Sequence, residues 1–398
     1  MSAEAWAGGP VGAARPDAVL VDRVRAGLAS RGAVVDAAQV AAVLREQGHV
    51  VGDATVFALV DTLDRESAGA GPLEVLLREP GVTDVLVNGP DAVYVDRGGG
   101  LEPASVTFAD DAQVRRLAQR LAATGGRRLD EASPFVDVRL RDGCRLHAAL
   151  APVAHPGTLL SLRVPARRVF TMAELVAAGA LSPSAAGVLA GLVSSRTAFL
   201  VTGGTGTGKT TVLGALLSLV PAAERIVVVE DSAELRPDHP HVVALEARPP
   251  NVEGAGHIDL RHLVRQALRM RPDRLVVGEV RGAEVVDLLA ALNTGHEGGC
   301  STLHANTAAD VPARLEALAA TAGMSRQALH SQVAAGLRVV VHLRRDRSGG
   351  RRLSEVGVLS PTRGGLCCVT ALARDGSGRL VPGPANDELE RLVYGGEP

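Results

Sequence analysis

The chain has 398 residues, of which 46% are hydrophobic, so two or three domains with sizeable cores are expected. Its formal net charge of −2 provides no basic field to attract nucleic acid or anionic lipid, and 2% aromatic residues leave few side chains for stacking on single-stranded bases. The four cysteines form no C-x-x-C pair, so reduced thiols are expected rather than a zinc ribbon or a disulfide framework. No signal peptide is expected, because no basic segment followed by an apolar run opens the sequence.

Residues 1–68 are predicted to form a disordered start and a helical extension. Residues 1–16 are rich in Ala, Gly and Pro, a composition that does not support a packed core. Between residues 18 and 63, apolar residues recur at helical spacing, and this pattern predicts three short helices. Nothing in this segment indicates a chemical function.

Residues 69–164 are predicted to form a small α+β domain, which a short linker at residues 165–170 follows. Alternating apolar residues indicate its strands, and turn clusters separate them. Strands are expected at residues 83–88, 92–96, 135–140, 144–150 and 159–164, and a helix at 110–124.

Residues 171–398 are predicted to form a second domain in which strands and helices alternate. Strands are expected at residues 198–201, 226–230, 242–246, 274–278 and 299–304. The alternation predicts an α/β fold with a mainly parallel sheet wrapped by helices. Three further strands, the first at residues 337–343, are expected to extend one edge in antiparallel fashion. The uncharged stretch 175–195 is interpreted as two core helices rather than a membrane span, because Pro183 interrupts it.

The segment VTGGTGTGKTT, at residues 201–211, matches the phosphate-loop pattern G-x-x-x-x-G-K-[ST]. An apolar strand precedes it and an apolar helix follows, as a phosphate cradle requires. Lys209, the only lysine among the 42 Lys and Arg residues, is expected to reach the β- and γ-phosphates of a nucleotide, and Thr210 to ligate Mg²⁺. The predicted nucleotide-binding residues of the loop are Gly203, Gly204, Thr205, Gly206, Thr207, Gly208, Lys209, Thr210 and Thr211.

Two predicted strands end in acidic residues beside this loop. Glu279 is predicted to hold Mg²⁺, partly through water, or to polarise the attacking water, and Gly278 stands where an aspartate is usual. Glu230, Asp231 and Glu234 end another strand, and one of them is expected to orient the lytic water. The alternative for Glu279 is a solvated residue at the end of a strand, and the alternative for residues 230–234 is a surface turn.

Two histidines and three arginines complete the predicted site. His296 and His304 flank a strand in the run TGHEGGCSTLHAN; a lone histidine is usually structural, but two in this frame favour a sensor of the γ-phosphate. Arg139, Arg145 and Arg163 lie on strands of the small domain, and guanidinium groups suit phosphate contacts. The alternative is that these arginines only brace the small domain.

Taken together, these motifs resemble those of the secretion ATPase superfamily of type II and type IV systems. The resemblance is strongest to the tight-adherence (TadA/CpaF-type) ATPases that power pilus assembly, and to their relatives associated with conjugal transfer. It covers residues 70–345 through GPLEVLL, VTDVLVNGPDAVYVDRGGGL, VDVRLRDGCRLHAAL, the phosphate loop, RIVVVEDSAEL, LRMRPDRLVVGEVRG and TGHEGGCSTLHAN. Cys300 inside the histidine box departs from the family pattern, and the zinc-binding cysteines of the type II branch are absent, so no zinc is expected.

The resemblance implies a RecA-like ATPase domain preceded by a small PAS-like α+β domain, with ATP and Mg²⁺ as ligands. Residues 230–234 match the family's acidic box, Glu279 its atypical second nucleotide motif, and residues 296–304 its histidine box. The family forms hexameric rings at the cytoplasmic face of a membrane, so a homohexamer and an inner-membrane platform protein are the implied partners.

Arg139, Arg145 and Arg163 match positions at which the family's N-terminal domain closes over nucleotide. The sequence therefore predicts a cytoplasmic, membrane-associated ATPase motor for pilus assembly, secretion or conjugal transfer. Two alternatives are kept. A DNA-handling RecA-like ATPase is disfavoured by the charge and aromatic content, and a nucleotide-binding scaffold without turnover is disfavoured by Lys209 and Glu279.

Overall fold

A computed structural model describes most of the chain. The described residues are 20–21, 23–24, 27–28, 37–49, 52–67 (backbone only at 61–67), 69–140, 142–165, 169–250, 254–346, 349–376 and 378–395. The prediction of a disordered start at residues 1–16 lies outside them, as do positions 166–168 of the predicted linker. The chain divides into two compact units, Met1–Pro165 and Ala166–Pro398.

Residues 20–21, 23–24 and 27–28 are helical, and two helices with described bounds follow them, α1 (Ala37–Glu46) and α2 (Asp53–Ser67). Their buried apolar residues recur three or four positions apart, which places them on one face of each helix. These residues pack in a single cluster with Val21, Val24 and Leu28. The helical character predicted for this segment is therefore confirmed for α1 and α2.

The rest of the first unit is, in the part that is described, an antiparallel sheet of six strands. The strands are β1 (Asp84–Val87), β2 (Val93–Asp96), β3 (Leu101–Pro103), β4 (Phe135–Arg139), β5 (Arg145–Ala149) and β6 (Leu159–Arg163), in the spatial order β3-β2-β1-β6-β5-β4. Helix α3 (Glu74–Arg78) precedes the sheet, and α4 (Asp111–Thr124) packs on its apolar face. The predicted α+β character is confirmed, and β3 is a strand that the sequence did not indicate.

Strand pairing aligns three arginines in one row of this sheet. Arg139 on β4 pairs with Arg145 on β5, and Arg145 pairs with Arg163 on β6. Directly paired residues point to the same face, which here is the face opposite the core. Arg145 donates from Nε to Oδ1 of Asp137 at 3.0 Å and from Nη2 to Oδ2 at 2.5 Å, and this contact lowers the pKa of the Asp137 carboxyl.

The second unit contains, among its described residues, one sheet of nine strands. They are β7 (Phe199–Gly203), β8 (Ile226–Glu230), β9 (Val242–Glu246), β10 (Arg274–Val280), β11 (Cys300–Leu303), β12 (Val339–Arg345), β13 (Arg351–Thr362), β14 (Gly365–Arg374) and β15 (Leu380–Pro382), in the spatial order β15-β14-β13-β12-β7-β11-β10-β8-β9. In this spatial order, each neighbouring pair from β12 through β7, β11, β10 and β8 to β9 is parallel. The pairs β12–β13, β13–β14 and β14–β15 are antiparallel.

Helices cover both faces of this sheet. They are α5 (Met172–Ala177), α6 (Pro183–Ser194), α7 (Lys209–Leu217), α8 (Leu260–Ala267), α9 (Glu284–Leu292), α10 (Val311–Thr321), α11 (Arg326–Gly336) and α12 (Asn386–Tyr394). Phe199 and Val201 enter the core that contains α6, α7 and α12, whereas Leu200 enters the core that contains α8 to α11. Burial on both faces explains why the central strands are continuous apolar runs in the sequence.

The uncharged stretch 175–195 falls in α5 and α6, so the prediction of two helical pieces is confirmed. Ser182 accepts a hydrogen bond from the backbone N–H of Ala185 and starts α6, with Pro183 in its first turn. Across the described ranges, no helix has the length and apolar character needed to cross a membrane.

One prediction about the sheet is wrong. The sequence predicts an antiparallel edge strand at residues 337–343, but β12 pairs in parallel with β7, with Leu343 opposite Gly203. The chain between β11 and β12 contains α10 and α11, and this connection returns it to the amino end of the sheet before β12 begins. As a result, β12 lies directly beside the strand that leads into the phosphate loop.

A buried ion pair holds the amino end of β10. Arg274, whose side chain is 3% exposed, donates from Nε to Oε2 of Glu224 at 2.6 Å and from Nη2 to the carbonyl oxygen of Val193 at 2.9 Å. A buried guanidinium is stable only while its charge is compensated.

We expect Glu224→Gln to lower the free energy of unfolding by about 3 kcal/mol, because Arg274 then stays charged and buried without its carboxylate. Glu388→Gln is a matched control in the same unit, since its partner Arg338 is 35% exposed and the loss of such a pair costs about 1 kcal/mol or less. Urea unfolding followed by circular dichroism measures both. Equal losses in the two variants would contradict the prediction.

Candidate nucleotide-binding site

The phosphate loop joins the carboxyl end of β7 to the start of α7. Gly203, Gly206 and Gly208 have φ angles of 148°, 72° and 91°, which glycine adopts without steric cost. A Cβ atom at position 203 would lie 2.4 Å from the carbonyl oxygen of Leu343, so the loop also needs glycine there to pass close to β12. The glycines of the motif therefore fix both the turn and its contact with the sheet.

The ammonium group of Lys209 lies inside this loop. Its Nζ atom donates to the carbonyl oxygens of Gly203 at 3.1 Å and Gly204 at 3.0 Å. Lys209 is 8% exposed, and burial lowers its pKa, although the nearby carboxylate of Glu279 opposes that shift. The loop thus holds a positive charge. The two carbonyl oxygens satisfy this charge only in part.

The N-terminus of α7 also faces the loop. Gly208 is the N-cap, and it has no side chain to accept from the free N–H groups of the first helical turn. Such N–H groups and the helix dipole favour an anion. Together with Lys209 and the hydroxyl of Thr210, they match the donor set that the phosphates of ATP and a bound Mg²⁺ require.

A row of charged and polar groups leads from Lys209 to the end of β10. Nε2 of His304 lies 3.4 Å from Nζ of Lys209 and 2.7 Å from Oε1 of Glu279. Nη2 of Arg281 donates to Oε2 of the same carboxylate at 2.5 Å. Burial and the neighbouring ammonium group lower the pKa of His304. The imidazole is therefore neutral near pH 7 and adds no positive charge between two cations.

Glu230 occupies the space beside Gly278. It is 4% exposed, its Oε1 accepts from the backbone N–H groups of Glu234 and Leu235 at 3.1 Å each, and burial raises its pKa to about 7. A Cβ atom at position 278 would lie 2.5 Å from Cγ of Glu230. Glycine stands where an aspartate is usual because the neighbouring strand already places a carboxyl group there.

A cavity of about 430 Å³ opens next to Gly204 and His304. Its other polar lining residues are Asn306, Asp310 and Arg314, of which the last lies on α10. These three residues were not predicted from the sequence. Asn306 could have been found from its position, since it follows His304 by two residues at the carboxyl end of β11.

The structure separates the two predicted histidines. His304 follows the carboxyl end of β11, beside the loop, whereas His296 precedes the amino end of the same strand. Four extended residues span about 13 Å, so the strand itself holds the two histidines apart. The prediction that both sense the γ-phosphate is corrected in this respect: of the two histidines, only His304 lies at the loop.

Comparison with known proteins shows the family to which the chain belongs. Residues 66–368 match the family model described as type II/IV secretion system protein. The chain belongs to this secretion family. A putative conjugal transfer protein of Mycobacterium tuberculosis is 57% identical over 332 residues, which cover 82% of this chain and 94% of the relative. Conjugal transfer protein TrbB of Rhizobium radiobacter is 31% identical over 287 residues, which cover 71% and 85%.

A solved structure supports the fold of this member of the secretion family. The pilus retraction motor PilT with bound ADP superposes with a TM-score of 0.51 at 19% identity, covering 81% of this chain and 86% of that one. The predicted α/β fold is confirmed, with a RecA-like phosphate-loop domain preceded by a small α+β domain and an N-terminal helical extension.

The buried carboxyl of Glu230 generates a pH prediction. Because its folded pKa of about 7 lies above the ordinary value of 4.5, the native protein loses stability as the pH rises from about 4.5 to 7 and the buried group ionises. Glu230→Gln removes this loss, so the stability of the variant relative to wild type should increase by about 3 kcal/mol between pH 4.5 and pH 8. Urea unfolding across this pH range provides the measurement. If the difference in stability between Glu230→Gln and wild type did not change with pH, the buried Glu230 would not be protonated in the folded protein.

Proposed function

We propose that this chain is an ATP-hydrolysing motor that works as a homohexamer at the cytoplasmic face of a membrane. It would energise pilus assembly, secretion or conjugal transfer through a membrane platform protein, without direct contact with nucleic acid. The observation that carries the proposal is the arrangement of Lys209, His304 and Glu279 around an intact phosphate loop. Membership of the secretion family and relatives named as conjugal transfer proteins support it.

Binding of ATP uses groups that the loop already presents. Lys209 exchanges its two carbonyl contacts for oxygens of the β- and γ-phosphates, and the first-turn N–H groups of α7 contact the same anion. Thr210 and Glu279 would hold Mg²⁺, which would neutralise charge on the phosphates. Backbone N–H groups along residues 203–211 complete the cradle.

Hydrolysis requires a carboxylate at a fixed position. His304 and Arg281 contact the two oxygens of Glu279 and hold the carboxylate in one orientation, from which it polarises the attacking water. Glu230 acts differently, because its carboxyl binds backbone N–H groups and thereby orders the turn that carries Glu234. Glu234 is exposed and its charge acts on Lys209, so it is the residue of this pair that we expect to orient the lytic water.

The arginine row of the small domain supplies further positive charge. Arg139, Arg145 and Arg163 share one sheet face, which can close over nucleotide as a unit, in the same subunit or in a neighbour. Arg145 then exchanges the carboxylate of Asp137 for a phosphate, a substitution that guanidinium geometry allows without loss of its paired hydrogen bonds.

We expect Glu279→Gln to bind ATP normally and to lose turnover by about 10²–10⁴-fold, because the amide keeps the shape of the carboxylate but not its charge. Lys209→Ala should lose ATP binding as well as turnover. Phosphate release and equilibrium nucleotide binding measure the two effects separately. If Glu279→Gln lost binding together with turnover, the residue would be structural, and a Lys209→Ala protein with normal turnover would refute the motor function.

We expect Arg145→Ala to lower the turnover of the full chain by a factor between about 10 and 10³, since three arginines share a role for which one arginine in other NTPases contributes about 10³–10⁵. Arg78→Ala is the control, because Arg78 is a 67% exposed arginine of the same domain outside the row. Specific activity should also rise with protein concentration as subunits assemble. Equal turnover in both variants, with no dependence on concentration, would contradict closure of the small domain.

A further inference from the structure

The strands β12 and β13 are rich in arginine at the ends that lie beside the phosphate loop. Leu343 pairs with Leu353, and both belong to the core that contains α7. Because side chains alternate along a strand, the next positions on that face are Arg345 and Arg351, which also pair with each other. These two arginines therefore continue the face of the sheet beyond its core, towards the start of α7.

Arg351 is the arginine of this pair that reaches the loop. A Cβ atom at Gly208 would lie 3.6 Å from its Cδ atom. Arg345, by contrast, donates from Nε to the carbonyl oxygen of Gly349 at 3.2 Å. The guanidinium of Arg351 is exposed and makes no hydrogen bond or ion pair with any residue that the structure describes. A positive charge that has no partner among the described residues thus lies next to Gly208, the N-cap of α7.

The strand order decides which part of a nucleotide Arg351 can contact. Glu279 and His304 come from β10 and β11, on one side of β7, whereas Arg351 comes from the strand pair on the other side. The groups suited to the reacting γ-phosphate are therefore on the opposite side of the loop. Arg351 lies away from these groups, beside Gly208 at the start of α7.

We infer that Arg351 is a nucleotide-binding residue that contacts the diphosphate part of ATP and ADP within its own subunit. This inference rests on the proposed function of the loop, and it assigns to Arg351 a role in affinity rather than in the hydrolytic step. A guanidinium can donate two parallel hydrogen bonds to phosphate oxygens, which an ammonium group cannot do. The contact would hold the nucleotide in the loop both before and after hydrolysis.

The test compares the full-length wild type with Arg351→Gln, Arg351→Lys and Arg344→Gln. Arg344 is the matched control, because it lies on the same pair of strands and is exposed, but pairs with Arg352 on the opposite face. Calorimetric titration with ADP and with a non-hydrolysable ATP analogue, each with Mg²⁺, should show Kd raised roughly tenfold for both ligands in Arg351→Gln. The Kd values of Arg351→Lys should lie between those of wild type and Arg351→Gln, and those of Arg344→Gln should match wild type. The kcat of each of the three variants should differ from that of wild type by less than threefold.

Other outcomes separate the inference from the function on which it rests. If wild type binds nucleotide and Arg351→Gln binds it equally well, the inference is overturned and the proposed function stands. Equal weakening by Arg344→Gln would reduce the effect to general surface charge, and a loss of kcat at unchanged Kd would assign Arg351 to the chemical step; either result overturns the inference. If wild type and Lys209→Ala behave alike in the titration, the nucleotide site itself is refuted. Circular dichroism melting confirms that each variant is folded.

Discussion

The confinement of one ammonium group in a glycine-rich loop is the constraint on which the rest of the second unit depends. Lys209 is nearly buried, so its charge must be satisfied by oxygen atoms at fixed positions. The carbonyl groups of Gly203 and Gly204 can turn towards it only because the loop adopts backbone angles open to glycine. The parallel sheet then brings Glu279 and His304 to the same edge, since parallel strands end together.

The charges around this ammonium group are ordered so that they do not repel one another. A neutral imidazole separates Lys209 from the carboxylate of Glu279, and Arg281 closes the row on the far side. The buried carboxyl of Glu230 avoids adding a second full negative charge, because its pKa of about 7 keeps much of it protonated near neutral pH. The site proposed to bind nucleotide thus holds few uncompensated negative charges.

Much of this was predictable from the sequence, and the misses have physical reasons. The phosphate loop and the central strands were predicted because glycine spacing and continuous apolar runs are local signals. The direction of β12 was missed because an apolar run is the same whether a strand is parallel or antiparallel. His296 was misplaced although a strand was predicted between it and His304, which already implied opposite ends. The fit of Glu230 against Gly278 depends on register between β8 and β10, which no single segment encodes.

The solitary lysine has a practical consequence for chemical labelling. Every other basic side chain of the Lys and Arg set is a guanidinium, which does not react with acylating reagents as an amine does and stays charged at any pH at which proteins fold. Lys209 therefore carries the only side-chain amine in the sequence, and it lies in the phosphate loop. A single acylation event on a lysine reports the state of that loop, and its protection by a ligand measures occupancy without a mutation.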